Sequence, residues 1–194
     1  MPTISVFQSV TLDGVMQGPG RPDEDTRGGF AHGGWGDGYQ DEVSMGFAAE
    51  GMSGGGALLF GRRTYEDLLG FWSSAPFENP FSEVLMQTMK YVVSRDAGTR
   101  LEYPNSELLA GDAATTVAGI GEGDGATLTI LGSGELVRSL HAAGLIDEYI
   151  LQIHPIVLGS GTRLFGDGDR VDLQLERTLP TTTGVIIASY RVRR

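Results

Sequence analysis

The order of the predicted elements constrains the fold more than any other feature of this chain. Up to about residue 150, short apolar runs alternate with segments of helical spacing, and after that point strands follow strands. Such alternation predicts a parallel sheet covered by helices, and consecutive strands predict an antiparallel edge. We therefore predict an α/β fold, a three-layer α-β-α arrangement with a mainly parallel mixed sheet and a C-terminal antiparallel hairpin. With 194 residues and no repeat or linker, the sequence predicts a single domain over 1–194.

The individual elements follow from hydrophobic periodicity and from glycine and proline positions. The predicted strands are 3–12, 57–60, 90–94, 106–110, 127–131, 147–158, 171–179 and 184–192. The predicted helices are 39–51, 63–71, a short segment ending at 89, 112–120 with Asp112 as its N-cap, and 135–143. A loop rich in Gly, Asp and Arg spans 18–38, and a loop of that length is usually functional or mobile.

Composition excludes several classes of function. The net charge of −11 makes the chain a poor nucleic-acid binder, because phosphate contacts require clustered Lys and Arg. No apolar run approaches the roughly 20 residues of a membrane span, and no basic segment precedes the apolar N-terminus, so we expect a cytoplasmic protein without a membrane partner. The chain has no cysteine, and its three histidines lack metal-ligand spacing, so we expect no metal site.

A strand-to-helix junction at 57–66, ALLFGRRTYE, predicts a phosphate site. An apolar run ends at Gly61, and Arg62, Arg63 and Thr64 open a helix. The N–H groups of a helix start attract an anion, and an arginine adds a planar, charged fork. The alternative is an ordinary capped helix with solvated arginines.

Two further strand ends match this first one. TLTILGSGELVRSL at 127–140 contains Gly132, Ser133 and Gly134 between a strand and a helix, which suits a pyrophosphate, although a tight structural turn has the same pattern. YVVSRD at 91–96 ends a strand with Ser94 and Arg95. Ligands of open α/β sheets bind beyond the carboxyl ends of the strands, so these residues are expected on one rim, where they would enclose a ribose 2′-phosphate and favour NADPH over NADH. A surface arginine paired with Asp96 is the alternative.

The order of these segments resembles the dihydrofolate reductase-like superfamily. More closely, it resembles the branch related to the reductase domain of bacterial riboflavin-biosynthesis deaminase–reductases. The matching segments, in family order, are SVTLDGVMQGPG, ALLFGRRTYE, YVVSRD, TILGSGELVRSL and HPIVLGSGTRLF. The deaminase partner domain is not expected here, because its zinc-binding signature requires cysteine.

The resemblance implies an NADPH-dependent oxidoreductase that transfers hydride to a small heterocyclic substrate. The nearest family activity is that of a 5-amino-6-(5-phosphoribosylamino)uracil reductase. The resemblance assigns the nicotinamide end of the cofactor to Gln8, Ser9, Val10, Asp13 and Gly14. It assigns the phosphates to the two glycine junctions and the Ser-Arg strand end, namely Gly61, Arg62, Arg63, Thr64, Ser94, Arg95, Gly132, Ser133, Gly134, Glu135 and Leu136. It also makes a homodimer through the late strands plausible.

The proton donor is the open part of this hypothesis. Dihydrofolate reductases place a carboxylate on their first helix, and Asp41 and Glu42 are the candidates here, with Glu50 as a third. Both Asp41 and Glu42 also suit a helix N-terminus electrostatically, which is the simpler interpretation. Asp13 either contacts substrate or shapes its turn. The alternatives in function are a dihydrofolate reductase, an NADPH-binding module without turnover, and a mainly structural protein.

Two aromatic residues of the N-terminal region, Trp35 and Tyr39, are candidate stacking walls for a flat heterocycle. Trp72 is a third candidate, and anchoring of core or loop is the alternative role for all three. The late GSGTR segment at 159–163 resembles a glycine loop of the family and is a candidate substrate contact, although a structural turn is the simpler interpretation.

Overall fold

The protein, described here as a computed structural model over residues 2–74, 80–120 and 127–194, is built on an eight-stranded sheet. The strands are β1 (Thr3–Thr11), β2 (Ala57–Gly61), β3 (Lys90–Ser94), β4 (Ser106–Ala110), β5 (Thr127–Leu131), β6 (Glu148–His154), β7 (Leu173–Pro180) and β8 (Ile186–Val192). Their order across the sheet is β4-β3-β2-β5-β1-β6-β8-β7. The pairs β4-β3, β3-β2 and β2-β5 are parallel, whereas β6-β8 and β8-β7 are antiparallel.

The helices complete a three-layer α-β-α fold with a C-terminal antiparallel hairpin, which confirms the predicted fold class. They are α1 (Glu42–Ser53), α2 (Arg62–Ser73), α3 (Pro80–Gln87), α4 (Ala113–Ala118) and α5 (Gly134–Ala142), and a 3-10 turn covers Arg27–Gly29. Asp112 caps α4 as predicted, accepting from the N–H of Thr115 at 3.0 Å. No helix within the described ranges is long and apolar enough to span a membrane.

Two of the predicted elements that are shorter in the structure have a clear local reason. The helix predicted from 39 starts at Glu42, because the side chain of Asp41 bonds the N–H of Ser44 as a cap. The strand predicted over 147–158 ends at His154, directly before Pro155, which has no N–H to donate to a ladder.

The chain divides into two compact units, Met1–Ser5 with Ala49–Ile146, and Val6–Ala48 with Asp147–Arg194. In the first unit, α2 buries Tyr65 and Leu69 in a core with Phe60, Leu85 and Val92. Lys90, the one lysine of the chain, is fully buried, and its Nζ donates to the carbonyls of Leu85, Met86 and Thr88. Its ammonium therefore satisfies the C-terminal end of α3, where carbonyls lack helical partners.

In the second unit, the long loop at 18–38 is folded around one buried glutamine. Gln17 donates from Nε2 to the carbonyls of Asp25 and Arg27 and accepts at Oε1 from the N–H and hydroxyl of Thr162. The indole N–H of Trp35 donates to the Gln17 carbonyl at 2.7 Å. A Cβ at Gly33 would lie 2.4 Å from the Pro22 carbonyl oxygen, so the fold of the loop requires glycine there.

Candidate functional site

Three parallel strands of the first unit end side by side. Gly61, the last residue of β2, pairs with Val93 of β3, and Leu59 of β2 pairs with Ile130 of β5. The residues that follow the three strands, Arg62, Arg95 and Gly132, therefore leave the sheet at one edge. This is the edge where open α/β sheets bind ligands.

The two glycine junctions at this edge are bonded to each other. The N–H of Gly61 donates to the hydroxyl of Ser133 at 2.9 Å, and a Cβ on Gly132 would lie 3.3 Å from the methyl of Thr64. Gly132 and Ser133 both have positive φ, 62° and 64°. Left-handed backbone is costly for serine, so the turn before α5 is held against local preference. The starts of α2 and α5 consequently lie together.

The arginines at this edge make ion pairs with neighbouring carboxylates. Arg62 bonds Glu66 one turn along α2 at 2.9 Å, and Arg63 approaches Glu135 of α5 at 3.7 Å. Both pairs are largely exposed. An exposed ion pair contributes about 0–1 kcal/mol to stability, so each arginine can bond another anion at little cost. Leu136, by contrast, is buried in the core and serves packing.

The end of β3 contributes one buried and one exposed residue. Ser94 is buried, and its hydroxyl shares a hydrogen bond of 2.8 Å with Thr99. Arg95 is exposed, and its charge reaches Asp112 at the start of α4. Hydrogen bonds from Thr115 are the main cause that lowers the pKa of Asp112, and the charge of Arg95 contributes to the same shift. Arg95 thus extends into solvent beyond the end of β3, while the Ser94 hydroxyl is occupied within the turn.

In the second unit, Asp13 organises a turn. Its carboxylate accepts from the Thr11 hydroxyl at 2.6 Å, from the N–H of Leu158 at 3.2 Å and from the N–H of Gly159 at 2.8 Å. These bonds, that of Thr11 above all, lower the pKa of Asp13 to about 2. Of the two roles open to Asp13, these contacts match the turn-shaping one, because an ionised, fully bonded carboxylate has no proton to give.

Asp41 is bonded in a similar way. One carboxylate oxygen accepts from the N–H of Ser44 at 2.8 Å, and the other accepts from the N–H and hydroxyl of Thr182 at 2.6 and 2.7 Å. These bonds, led by that of the Thr182 hydroxyl, hold the pKa of Asp41 well below its usual value. The contacts match the helix-capping interpretation. Glu42, in the first turn of α1, is exposed.

The rings of Trp35 and Tyr39 both contact His154, a residue that the sequence did not indicate as a candidate. Trp35 is buried, and its ring stands edge-on to His154 at a centroid distance of 5.0 Å, as does Tyr39 at 5.3 Å. His154 is buried, and burial lowers its pKa, although the carbonyls of Gln152 and Val10 favour its charged form. These contacts correspond to the anchoring role for both aromatic rings. Trp72, in the first unit, packs against Phe81.

The remaining predicted residues lie on or after β1. Gln8 is buried, donates to the Ser9 carbonyl at 3.1 Å, and leaves its Oε1 without a partner in the described part of the chain. The Ser9 hydroxyl donates to Oε1 of Gln152 at 3.1 Å, and Val10 is buried. Gly14 turns the chain with φ of 80°, and its carbonyl accepts from the N–H of Leu164. Gly134 begins α5.

Sequence reasoning missed three residues that organise the second unit. Gln17 and Thr182 bond across 145 and 141 residues of chain respectively, to Thr162 and Asp41, and no local pattern predicts such contacts. His154 did carry a signal, because it closes an alternating strand directly before a proline. No group of three metal-ligating side chains occurs in the residues described above.

Comparisons with known proteins agree with this architecture. The chain is 30% identical over 139 residues to the uncharacterized protein YyaP of Bacillus subtilis (strain 168), covering 69% of this chain and 72% of the relative. A pyrimidine reductase-like protein of Corynebacterium diphtheriae superposes with a TM-score of 0.66 at 13% identity, covering 100% of this chain and 92% of that one. Dihydrofolate reductase of Enterococcus faecalis, complexed with NADP(H), superposes with a TM-score of 0.60 at 14% identity and covers 99% and 97%.

At such identities the two structures establish the fold alone. The sequence itself matches the family model described as the RibD C-terminal domain over residues 2–187, which is nearly the whole chain. The chain therefore belongs to the RibD C-terminal domain family.

Proposed function

We propose that this protein is an NADPH-dependent reductase that transfers hydride to a small heterocyclic substrate. The observation that carries the proposal is the bonded pair of glycine junctions in the first unit, with two helix starts and two arginines at one sheet edge. Membership of the RibD C-terminal domain family, and a fold shared with a dihydrofolate reductase that binds NADP(H), support it.

The residues at this edge fit a nucleotide with several phosphates. Backbone N–H groups at the starts of α2 and α5 offer donors to the pyrophosphate, and Gly61 and Gly132 leave room for its close approach. Arg62 and Arg95 would bind the 2′-phosphate, because guanidinium groups bond phosphate in a bidentate way. Both lie in the first unit, directly after the neighbouring parallel strands β2 and β3.

In the second unit, the nicotinamide end is assigned to the β1 residues. Gln8 supports this assignment, because a buried acceptor without a partner costs about 1–3 kcal/mol and is satisfied by a donor such as a ligand amide. Ser9, Val10 and Gly14 would supply backbone contacts. Bound NADPH supplies a hydride, and the chain's part is orientation, charge placement and exclusion of water.

The proton that accompanies the hydride is proposed to come from water. Asp13 and Asp41 are both ionised and bonded to several donors, so neither is suited to donate a proton at neutral pH. Glu42 and Glu50, the other two candidates, are both exposed to that water. A dihydrofolate reductase with Asp41 as its proton donor is correspondingly less well supported, and an NADPH-binding module without turnover is the second candidate.

The test is transfer of a label. The protein is incubated with NADPH deuterated at C4 of the nicotinamide and with a panel of pyrimidine, pterin and flavin-like acceptors, and the products are analysed by mass spectrometry. We expect deuterium on a reduced heterocycle together with NADP⁺. If NADPH binds tightly but no acceptor gains label, the binding module without turnover is the better account.

A further inference from the structure

In the first unit, the three arginines that are candidates for phosphate binding each have a carboxylate close by. The pairs are Arg62 with Glu66, Arg63 with Glu135 and Arg95 with Asp112. The six charges of these pairs sum to zero, so a phosphate that approaches this sheet edge meets no net positive charge from them. The carboxylates therefore take part in deciding which phosphates bind, and how tightly.

The guanidinium of Arg62 is held by both oxygens of Glu66. Its Nη1 donates to Oε2 at 2.9 Å and to Oε1 at 3.0 Å, whereas its Nε and Nη2 bond no other residue among those described. Both side chains are about half exposed, so the pair separates at little cost. Because Glu66 lies on the same helix, its charge stays beside any phosphate that bonds the guanidinium and repels it.

Helix stability gives little reason for this pair. Arg62 and Arg63 open α2, at the helix end where the backbone dipole is positive and repels cations. An i,i+4 pair stabilises a helix better when the acidic residue comes first, and here the arginine precedes the glutamate. The N-cap, Gly61, has no side chain to bond the free N–H groups. The start of α2 is thus suited to a bound anion, for which Glu66 is a partial replacement.

Glu135 has a similar place at the start of α5. It lies in the first turn of that helix, where the dipole favours a negative charge. Its Oε1 is 3.7 Å from Nη1 of Arg63, which is an ion pair too long for a hydrogen bond. The proposed pyrophosphate site lies at this junction. Glu135 is therefore next to a group that NADPH and NADH share, whereas Glu66 is next to the group that only NADPH carries.

We propose that Glu66 and Glu135 are specificity-determining residues, whose carboxylates compete with the phosphates of the nucleotide for Arg62 and Arg63. Glu66 opposes the 2′-phosphate and so limits the preference for NADPH over NADH. Glu135 opposes the pyrophosphate and so lowers the affinity for both nucleotides alike. Each carboxylate bonds its arginine again when the nucleotide leaves, which favours release of the spent cofactor. The identity of the nucleotide in this inference rests on the proposed reductase function.

The test is a calorimetric titration of the unmodified protein and its variants with NADPH and with NADH. Glu66→Gln keeps an oxygen that accepts from Arg62 but removes the charge, so it separates competition from orientation of the guanidinium. We expect this variant to bind NADPH about threefold to tenfold more tightly and to change NADH by less than about twofold, because a surface charge acts over a short range in salt. Glu135→Gln should strengthen both nucleotides by the same factor, about twofold to fivefold.

The matched control is Glu176→Gln, which breaks an exposed pair with Arg191 in the second unit and removes the same charge. It should alter neither affinity. If the NADPH preference is unchanged in Glu66→Gln, the competition is refuted; if it falls, Glu66 orients Arg62 instead. A preference altered by Glu135→Gln, or no gain in affinity, overturns the role of Glu135. These results leave the reductase proposal standing, whereas failure of the unmodified protein to bind either nucleotide overturns both.

Discussion

The bond between the two glycine junctions makes a measurable prediction at Ser133. Its hydroxyl is the acceptor for the Gly61 N–H, and its backbone is left-handed at φ 64°. Ser133→Ala removes the acceptor and keeps the strained backbone, so a partly buried N–H loses its partner. Such a loss costs about 1–3 kcal/mol of unfolding free energy. Ser133→Gly loses the same bond but relieves the left-handed strain, which recovers about 1 kcal/mol.

The two variants therefore separate stability from binding. Urea unfolding should rank stability as unmodified protein, then Ser133→Gly, then Ser133→Ala. NADPH affinity measured by calorimetry should fall by about tenfold in both variants. The reason is that both lose the hydrogen bond between Gly61 and Ser133, which holds the starts of α2 and α5 together. Ser139→Ala is the control, since it removes a serine that bonds only the preceding turn of the same helix. If Ser133→Ala unfolds at the same urea concentration as the unmodified protein, the reasoning about this junction is wrong.

Three further predictions concern stability. Lys90→Met should lower the unfolding free energy by about 1–3 kcal/mol in urea melts, because three carbonyls at the end of α3 lose their donor. An unchanged urea midpoint would contradict the role of Lys90 as the cap of α3. The pKa of Asp13 is about 2 in the folded protein and 3.8 ordinarily, so its stabilisation is complete above pH 3.8 and is lost as pH falls towards 2. Melting temperatures across that window should fall less steeply in Asp13→Asn, and parallel curves would refute this linkage. Gly161→Ala should lower the unfolding free energy by at least about 1–2 kcal/mol, because φ is 111° and the new Cβ would lie 2.6 Å from the Phe30 ring. An unchanged free energy in urea melts would show that the turn relaxes to accept the methyl group.

The elements of this fold were predictable where local signals agree. At 57–66 an apolar run, a glycine and two arginines predict a strand followed at once by a helix, and α2 does begin at Arg62. Asp112 at the start of a segment with helical spacing predicts the cap of α4, and its carboxylate does accept from the N–H of Thr115. In both cases the physical cause lies within a few residues, so periodicity and capping preferences suffice.

The candidate site depends on contacts that no local pattern contains. The sequence allowed Asp41 a role at the helix N-terminus, the simpler interpretation, or a role in proton transfer. Its bond to Thr182, on the hairpin turn 141 residues later, favours the first role, and no local pattern predicts that bond. Gln17 directly precedes a glycine-rich segment that resembles a mobile loop, yet its side chain bonds three residues, Asp25, Arg27 and Thr162. The lowered pKa of Asp41 and the defined conformation of the loop both depend on tertiary hydrogen bonds. Sequence spacing does not encode such bonds.

The faces of β7 could be assigned only from the structure. The register of the β7-β8 pair shifts between Leu175 and Arg177. A single-residue shift exchanges the two faces of a strand, so the sequence could not predict that the Arg177 guanidinium lies over the Phe47 ring.

The most direct test of the account is a calorimetric titration of the purified protein with NADPH and with NADH, repeated on Arg62→Ala, Arg95→Ala and the control Arg170→Ala. The account predicts that NADPH binds at least about tenfold more tightly than NADH, a difference of about 1.4 kcal/mol. Each variant at the sheet edge should weaken NADPH much more than NADH, and the control should change neither. Failure to bind either nucleotide, or equal losses for both in the two variants, would contradict the proposed phosphate site and with it the reductase function.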